Sequence, residues 1–160
     1  MRRDLKIPLS MYFTAYKDDE YFGKGEENLK FSGCSLNTKD IMDPKYKNDD
    51  FVLSINNKFH CRSGVFTVPL SGLYLLTLTV CSQDKRKVLI SIRRNGEELA
   101  SLYDQNHVDN NANTMSSQVF ITGLSKEDTI SVYLYTNTGI TDRKTNHFTQ
   151  FSGLLLRPSE

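Results

Sequence analysis

The chain of 160 residues has no tryptophan, few prolines and cysteines, and no excess of charge of either sign. Lys and Arg number 20 against 19 Asp and Glu, so the basic excess typical of proteins that bind nucleic acid or anionic membranes is absent. No apolar run approaches the ~20 residues that cross a bilayer. With 38% apolar residues, the composition is that of one globular domain.

Two features of many secreted proteins are also missing. Met1-Arg2-Arg3-Asp4 is charged, but the apolar stretch of a signal peptide does not follow it. No Asn-x-Ser/Thr sequon for N-glycosylation occurs. Two interpretations stay open at this point: a cytosolic protein, or a domain excised from a longer secreted precursor.

The three cysteines allow several arrangements. Cys34, Cys61 and Cys81 show no CxxC spacing, and no histidine lies at a zinc-like interval from them. They could form one disulfide and leave a free thiol, bridge two chains, or all be buried thiols. Cys81 follows an apolar run and favours burial, whereas Cys34 lies in a polar region and favours a bridge. A Cys34–Cys61 pair is one candidate, since spacing does not fix connectivity.

No catalytic motif is present. His60, His107 and His147 fall in separate segments, without a paired acid or a second metal ligand at a useful spacing. One catalytic arrangement stays open, in which a histidine meets Cys61 or Ser63 in space. We expect that the protein is not an enzyme.

Alternation of apolar and polar residues predicts β-strands along most of the chain. In the longest predicted strand, Tyr74 and Leu76 begin one apolar face, while Leu73 and Leu75 point the other way. A strand with apolar residues on both faces is buried on two sides for part of its length. The predicted strands are 11–16, 51–55, 65–68, 73–81, 88–94, 97–103, 119–121, 130–135 and 148–156, with 29–31 as a further candidate.

The turn signals complete the prediction of an all-β fold. Asn95-Gly96 between two alternating runs predicts a type I′ hairpin, because both central residues need positive φ. No segment has the periodicity of a helix. Short strands at roughly 8–12-residue intervals predict a sandwich or jelly roll. Residues 17–50 are polar and irregular, which predicts a long loop of functional importance, a mobile loop, or one that holds a short strand.

Four motifs follow one another in an order that a known family shares. They are Phe13-Thr14-Ala15-Tyr16, the run from Gly64 to Tyr74 with the pattern G-x-F-x-x-P-x-x-G-x-Y, Arg94-Asn95-Gly96 with Ser101-Leu102-Tyr103-Asp104-Gln105, and Phe148-Thr149-Gln150-Phe151-Ser152-Gly153-Leu154-Leu155-Leu156. Together they resemble the globular C1q domain of the C1q and tumour-necrosis-factor superfamily, over about residues 8–158.

The resemblance implies an all-β, TNF-like jelly-roll sandwich of about ten antiparallel strands that assembles as a trimer. It implies a single C1q-like domain over residues 1–160, with a core at about 8–158 and an extended loop insertion at about 17–50. A neighbouring subunit would then cover the second apolar face of the strands. The side chains expected at the trimer interface are Tyr74, Leu76, Phe148 and Phe151.

The resemblance also suggests a calcium site. The family's loop after this Tyr-Asp-Gln motif often binds calcium through acidic and amide oxygens, and Asp104 matches the family's aspartate. The second ligand maps to Asp109 by charge, or to Asn113 by counting back from the next strand. Calcium is the candidate cofactor because it prefers such oxygen ligands, and a solvated loop is the alternative.

The function implied is that of a secreted, non-catalytic recognition module. As a homotrimer it would bind a carbohydrate, microbial or protein ligand through its apex and side loops, as lectin-like pattern-recognition proteins of innate immunity do. The alternative is a secreted signalling ligand, cytokine-like or hormone-like, that engages a cell-surface receptor at the grooves between subunits. A structural trimerisation head is a third option. We expect neither nucleic-acid binding nor membrane insertion, and a chain trimmed from a secreted precursor. Candidate ligand-binding loops are residues 17–50, 104–113 and 136–146.

Overall fold

A computed structural model describes residues 11–37, 59–60, 62–105 and 112–159. Within these ranges all regular elements are β-strands, which confirms the predicted all-β class. None of the described residues forms a helix with the length and apolarity needed to cross a membrane. The strands are β1 (Tyr12–Tyr16), β2 (Tyr21–Phe22), β3 (Glu27–Asn28), β4 (Gly33–Asn37), β5 (Phe59–His60), β6 (Val65–Thr67), β7 (Gly72–Cys81), β8 (Val88–Arg94), β9 (Glu97–Asp104), β10 (Met115–Leu124), β11 (Thr129–Leu134), β12 (Gly139–Ile140) and β13 (Gln150–Pro158).

Two antiparallel sheets form the sandwich. One is five-stranded with the order β10-β7-β13-β1-β4, and the other has the order β5-β6-β11-β8-β9, with β3 attached to β11. A small ribbon of β2 and β12 lies beside them. Strands that are neighbours in the sequence often belong to different sheets, as a jelly roll requires. The strands outnumber the ten predicted because several are only two residues long.

One hydrophobic core joins the two sheets. The ring of Phe13 on β1 lies 4.2 Å from the ring of Phe66 on β6 and 5.3 Å from that of Phe151 on β13, between centroids. Full burial of such a side chain contributes about 1.5–3 kcal/mol. Tyr74 is also buried, and its hydroxyl donates a hydrogen bond to the carbonyl oxygen of Leu70 at 2.7 Å. Burial raises the pKa of Tyr74.

The pairing of β7 with β10 shows how tertiary contacts extend a strand. The two strands pair over ten residues, from Gly72 opposite Leu124 to Cys81 opposite Met115. The sequence predicts a strand only at 119–121, because the four residues before it are neither β-branched nor aromatic. Pairing with the long β7 adds these residues to the ladder.

The Asn95-Gly96 hairpin between β8 and β9 is confirmed. Their φ angles of 52° and 85° are both positive, as a type I′ turn requires. The Asn95 Nδ2 donates to Asp128 Oδ1 at 2.9 Å, and its Oδ1 accepts the amide of Thr129 at 2.9 Å. Hydrogen bonds from Asn95 and from the Ser125 amide hold the pKa of Asp128 below its ordinary value. We call this end of the sandwich the Asn95 end.

Residues 17–37, the described part of the predicted loop, contain three short strands. The candidate strand at 29–31 is not one of them. Leu29 and Phe31 are nevertheless buried in the core, and the Leu29 amide donates to the Val132 carbonyl at 2.7 Å. The rest of the predicted loop and the predicted strand at 51–55 lie outside the described residues.

Gly64 allows this segment to approach the second sheet. Its φ is +69°, and a Cβ at this position would lie 2.0 Å from the carbonyl oxygen of Leu29. Only glycine combines this backbone conformation with so close a contact. The glycine of the G-x-F motif is therefore required by the packing of this segment.

Candidate functional site

The outward face of the five-stranded sheet is the first candidate surface. Alternate residues of β1, β7, β10 and β13 point away from the core, so their side chains stand in rows across four strands. We call this surface the apolar face. Its residues are Tyr12, Thr14, Leu73, Leu75, Thr77, Val119, Ile121, Ser152 and Leu154.

One row of the apolar face is hydrophobic along its whole length. The strand register places Ile121 beside Leu75, Leu75 beside Leu154, and Leu154 beside Tyr12. Ile121 is 59% exposed and Tyr12 is 38% exposed. Single exposed apolar residues are common, but a contiguous row of them is typical of an interaction surface.

The neighbouring row is mixed. It contains Val119, Thr77, Ser152 and Thr14, again in register. The hydroxyl oxygens of Thr14 and Ser152 lie 2.6 Å apart and share a hydrogen bond. Because these polar atoms are satisfied within the chain, a partner could cover them at little cost. A shallow groove of about 360 Å³ lies between the two rows.

The residues predicted for the trimer interface lie elsewhere. Tyr74, Leu76 and Phe151 are 0–1% exposed and belong to the core, while Phe148 is half-buried in the loop before β13. A side chain buried inside its own chain offers no surface to a neighbouring chain. The structure therefore corrects this prediction for Tyr74, Leu76 and Phe151, which face the opposite sheet. Leu73 and Leu75 of the same strand point outward instead, and these two apolar residues are the sequence feature that indicates the apolar face.

A hydrogen-bond network ties together the other end of the sandwich, where β7 and β9 end and β10 and β13 begin. We call it the Asp104 end. The Asp104 carboxylate accepts a hydrogen bond from the Thr114 hydroxyl, which lies 2.9 Å from the Ser82 hydroxyl. The side-chain amide of Asn113 donates to the Ser82 carbonyl at 2.8 Å.

The described residues do not make up a calcium site by themselves. Of the predicted ligands, Asp104 and Asn113 are both connected to Ser82, Asp104 through the Thr114 hydroxyl and Asn113 by a direct hydrogen bond. Asp109 lies outside the described residues. In the described ranges, no three or more His, Cys, Asp or Glu side chains are grouped to hold a metal. Calcium takes about six to eight oxygen ligands, so Asp104 would need further ligands.

A buried carboxylate that the sequence did not signal holds the loop before β13. Asp142 is 3% exposed and accepts hydrogen bonds from the backbone amides of Arg143, Phe148 and Thr149, at 2.7, 3.2 and 2.8 Å. Three backbone donors compensate the buried charge. Asp142 therefore has a structural role, in a segment without a recognisable motif.

The cysteines differ in state. Cys34 is disulfide-bonded and Cys81 is a buried free thiol, so the arrangement with three free thiols is wrong. Burial raises the pKa of the Cys81 thiol, and the nearby charges of Asp142 and Asp104 raise it further. A protonated, buried thiol is a poor nucleophile. The suggested bridging partner, Cys61, lies outside the described residues.

His147 is the one histidine whose side chain is described. Its ring packs on Tyr16, with centroids 4.0 Å apart, and its Nδ1 lies 3.3 Å from the Lys17 carbonyl oxygen. This is a packing role. His107, and the side chain of His60, lie outside the described residues.

The outward face of the six-stranded sheet has a different chemistry. The Arg93 guanidinium lies 3.5 Å from the ring centroid of Tyr133 and donates to the Ser91 and Tyr135 hydroxyls at 3.0 and 3.2 Å. The Tyr135 hydroxyl donates in turn to Glu98 Oε2 at 3.0 Å. We call these five residues the arginine–tyrosine network. The Tyr133 hydroxyl donates to Glu26 Oε2 at 3.0 Å, so the polar side chains of this network are hydrogen-bonded within the chain.

The chain is similar in sequence to known C1q-domain proteins. The model of the C1q domain family matches residues 31–156. The mouse complement C1q tumor necrosis factor-related protein 1 is 27% identical over 129 residues, which is 78% of this chain. The chain spans 44% of that relative's length.

Solved structures share the fold at low identity. The globular domain of the zebrafish complement 1qA protein has a TM-score of 0.65 at 14% identity, covering 92% of this chain and 98% of its own. The Eiger TNF from S. frugiperda has a TM-score of 0.66 at 12% identity, covering 96% of each chain, and murine APRIL has 0.62 at 14%, covering 92% of this chain and 99% of its own. Because the family model covers most of the sequence, the chain belongs to the C1q domain family.

Proposed function

We propose that this chain is a non-catalytic extracellular recognition module that assembles as a homotrimer through its apolar face. The observation that carries the proposal is the row of Ile121, Leu75, Leu154 and Tyr12, in which Ile121 and Tyr12 are exposed and Leu75 and Leu154 are half-buried. Packing around a three-fold axis would remove this row from water in every subunit.

The energetics favour a repeated contact. Full burial of one aliphatic side chain contributes about 1.5–3 kcal/mol. Val119 and Ile121 are 60% and 59% exposed, so most of this gain is still available in a single chain. A trimer repeats each contact three times, against a cost of about 4–15 kcal/mol for each association step.

An extracellular location is supported by the disulfide at Cys34, since disulfides persist mainly in oxidising compartments. Membership of the C1q domain family points the same way. In a trimer, three copies of each loop would face a ligand together, and weak contacts of single loops would add up through multivalency. Glycan, microbial and protein ligands are all compatible with this mode of binding.

The experiment that tests assembly is light scattering of the purified chain, with and without EDTA. We expect a mass of three times the chain's 18.3 kDa in both buffers. A single-chain mass in both buffers would overturn the trimer. A trimer lost only in EDTA would add a calcium site, held by Asp104 and residues outside the described ranges, to the assembly.

The second candidate is a secreted signalling ligand that engages a receptor. The observation that favours it is the arginine–tyrosine network together with the exposed Tyr103 on the same sheet, because tyrosine and arginine are enriched where protein interfaces bind most strongly. Tagged trimer would be offered to a glycan array and to cell-surface proteins. Retention by one defined receptor without glycan binding would favour signalling over pattern recognition.

A further inference from the structure

A polar pocket of about 430 Å³ lies near the Asp104 end, and it shares no residue with the groove of the apolar face. This volume falls in the range of about 300–1,000 Å³ that is usual for small-molecule sites. We call it the polar pocket. Its residues are Glu20, Gln83, Asp84, Arg86, Asn113, Thr141 and Arg143.

Arg86 is held in place before any ligand arrives. Its guanidinium lies 4.0 Å from the ring centroid of Phe22, and its amide donates to the Gln83 carbonyl at 3.0 Å. Lys85, with a φ of 57°, completes this tight turn. The stem of Arg86 lies against Gly139, where an added Cβ would come within 2.5 Å of the Arg86 Cβ. A preorganised guanidinium loses little entropy on binding.

Arg143 brings a second positive charge into the pocket. Its backbone amide is fixed by the buried Asp142 carboxylate at 2.7 Å, while its side chain is exposed. Neither Arg86 nor Arg143 forms an ion pair with any described residue. Two guanidinium groups without a carboxylate partner are suited to a carboxylate on a ligand.

The rest of the pocket offers hydrogen-bond acceptors. The Glu20 carboxylate is oriented by the Gln83 amide at 3.2 Å and the Thr141 hydroxyl at 3.3 Å, and it keeps lone pairs for further donors. The Asn113 Nδ2 donates to the Ser82 carbonyl oxygen, and the Oδ1 of Asn113 is available to accept a hydrogen bond from a ligand. Acceptors of this kind match hydroxyl groups.

We propose that the polar pocket binds an acidic sugar. Arg86 and Arg143 pair with the sugar carboxylate, while Glu20 and Asn113 accept hydrogen bonds from its hydroxyl groups. An acidic peptide side chain would satisfy the arginines but offers no hydroxyls to Glu20. A phosphate carries more negative charge and would be repelled more strongly by Glu20 and Asp84. The proposal deepens the recognition function proposed above, and rests on it for its biological use.

The test is calorimetric titration of the whole chain with D-glucuronic acid, with D-glucose as the neutral match. We expect glucuronic acid to bind weakly, with a Kd on the order of 1 mM per site, and glucose not to bind. Arg86→Gln and Arg143→Gln should each weaken binding at least tenfold. Arg157→Gln, at the Asn95 end, removes the same charge away from the pocket and should leave the affinity unchanged.

Several outcomes would overturn the proposal: equal binding of glucose, equal loss in Arg157→Gln, or binding of a triglutamate peptide in place of the sugar. Circular dichroism of each variant is the control that tests whether the variant is folded. Gly139→Ala gives a second route, because it should displace Arg86 and weaken binding while all charges remain. Light scattering on the same samples separates the two proposals. If the protein is a trimer but does not bind glucuronic acid, only the proposed sugar site is refuted. If it is a monomer that binds glucuronic acid, only the proposed trimer is refuted.

Discussion

The outward face of each sheet contains a large hydrophobic side chain that is more than half exposed. The residues that surround this side chain differ between the two faces. On the apolar face, Ile121 is 59% exposed and stands in a row of hydrophobic neighbours. On the six-stranded sheet, Tyr103 is 56% exposed, pairs with Leu89 in the strand register, and donates its hydroxyl to Gln105 Oε1 at 2.9 Å. The exposed fraction alone therefore does not distinguish the two faces.

The difference lies in how each surface satisfies its own groups. In the arginine–tyrosine network, hydrogen bonds and ring contacts are made within the chain, so the surface is stable in water without a partner. In the apolar row, removal of the side chains from water is favourable, and within a single chain Ile121 and Tyr12 are still exposed. Assembly is therefore expected on the five-stranded sheet, and the other sheet stays available for ligands.

The largest expected effect is on assembly. Ile121→Lys should convert the trimer into single chains, because each interface would bury an unpaired ammonium group. We expect the apparent association to weaken by roughly a hundredfold or more, which corresponds to about 2.7 kcal/mol. Light scattering over a dilution series measures this change.

Tyr103→Lys is the matched control, since it places the same charge at nearly the same exposure on the other sheet. Its mass should remain that of three chains. If Tyr103→Lys dissociated the protein and Ile121→Lys did not, the two faces would have to exchange roles.

The next effect compares the inner and outer sides of the five-stranded sheet. In Gly153→Ala the new Cβ would lie 2.2 Å from Phe13 Cε1 and 3.1 Å from Leu76 Cδ2. Overpacking of a filled core costs about 1–3 kcal/mol. Gly123→Ala adds the same methyl group where no atom of the described residues beyond its two chain neighbours lies within 4 Å, and should change stability by less than about 0.5 kcal/mol.

Urea unfolding of both alanine variants in the Ile121→Lys background measures this difference without a contribution from assembly. Equal losses of free energy of unfolding would contradict the view that the core is full while the outer side is open.

Local signals predicted the parts of the fold that depend on local geometry. The Val88–Arg94 strand and the Asn95-Gly96 turn came out as predicted, because a turn with two positive φ angles accepts few residues. Strand β10 was predicted only in part, since its first half pairs with β7 in spite of its own polar sequence. Propensity cannot show such a tertiary pairing.

The sequence does not determine which face of β7 points into the core. Alternation separates Tyr74 and Leu76 from Leu73 and Leu75, but both sets are apolar at the start of the strand. Which set faces the opposite sheet depends on packing with Phe13 and Phe151, far away in the sequence. The polar pocket was missed for a similar reason, because its residues come from four segments and share no periodicity.

The smallest expected effect tests whether the arginine–tyrosine network is formed in solution. Hydrogen bonds from Ser101 and Tyr135 hold the pKa of Glu98 below its ordinary value, and the charge of Arg93 adds to this. A lowered folded-state pKa gives stability that is present above the unfolded pKa and is lost as the pH falls through the folded one. Because Glu98 is exposed, this contribution should stay well under about 1 kcal/mol and shrink in salt.

NMR titration of the Glu98 carboxyl group measures the effect directly. Ser101→Ala should raise the pKa of Glu98 most, Tyr135→Phe should raise it less, and Tyr103→Phe should leave it unchanged, since the Tyr103 hydroxyl donates to Gln105 instead. If neither Ser101→Ala nor Tyr135→Phe moved this pKa, the network would not satisfy its own charges. The second face would then need a partner as much as the apolar face does, and the contrast between the two sheets would no longer identify which one assembles.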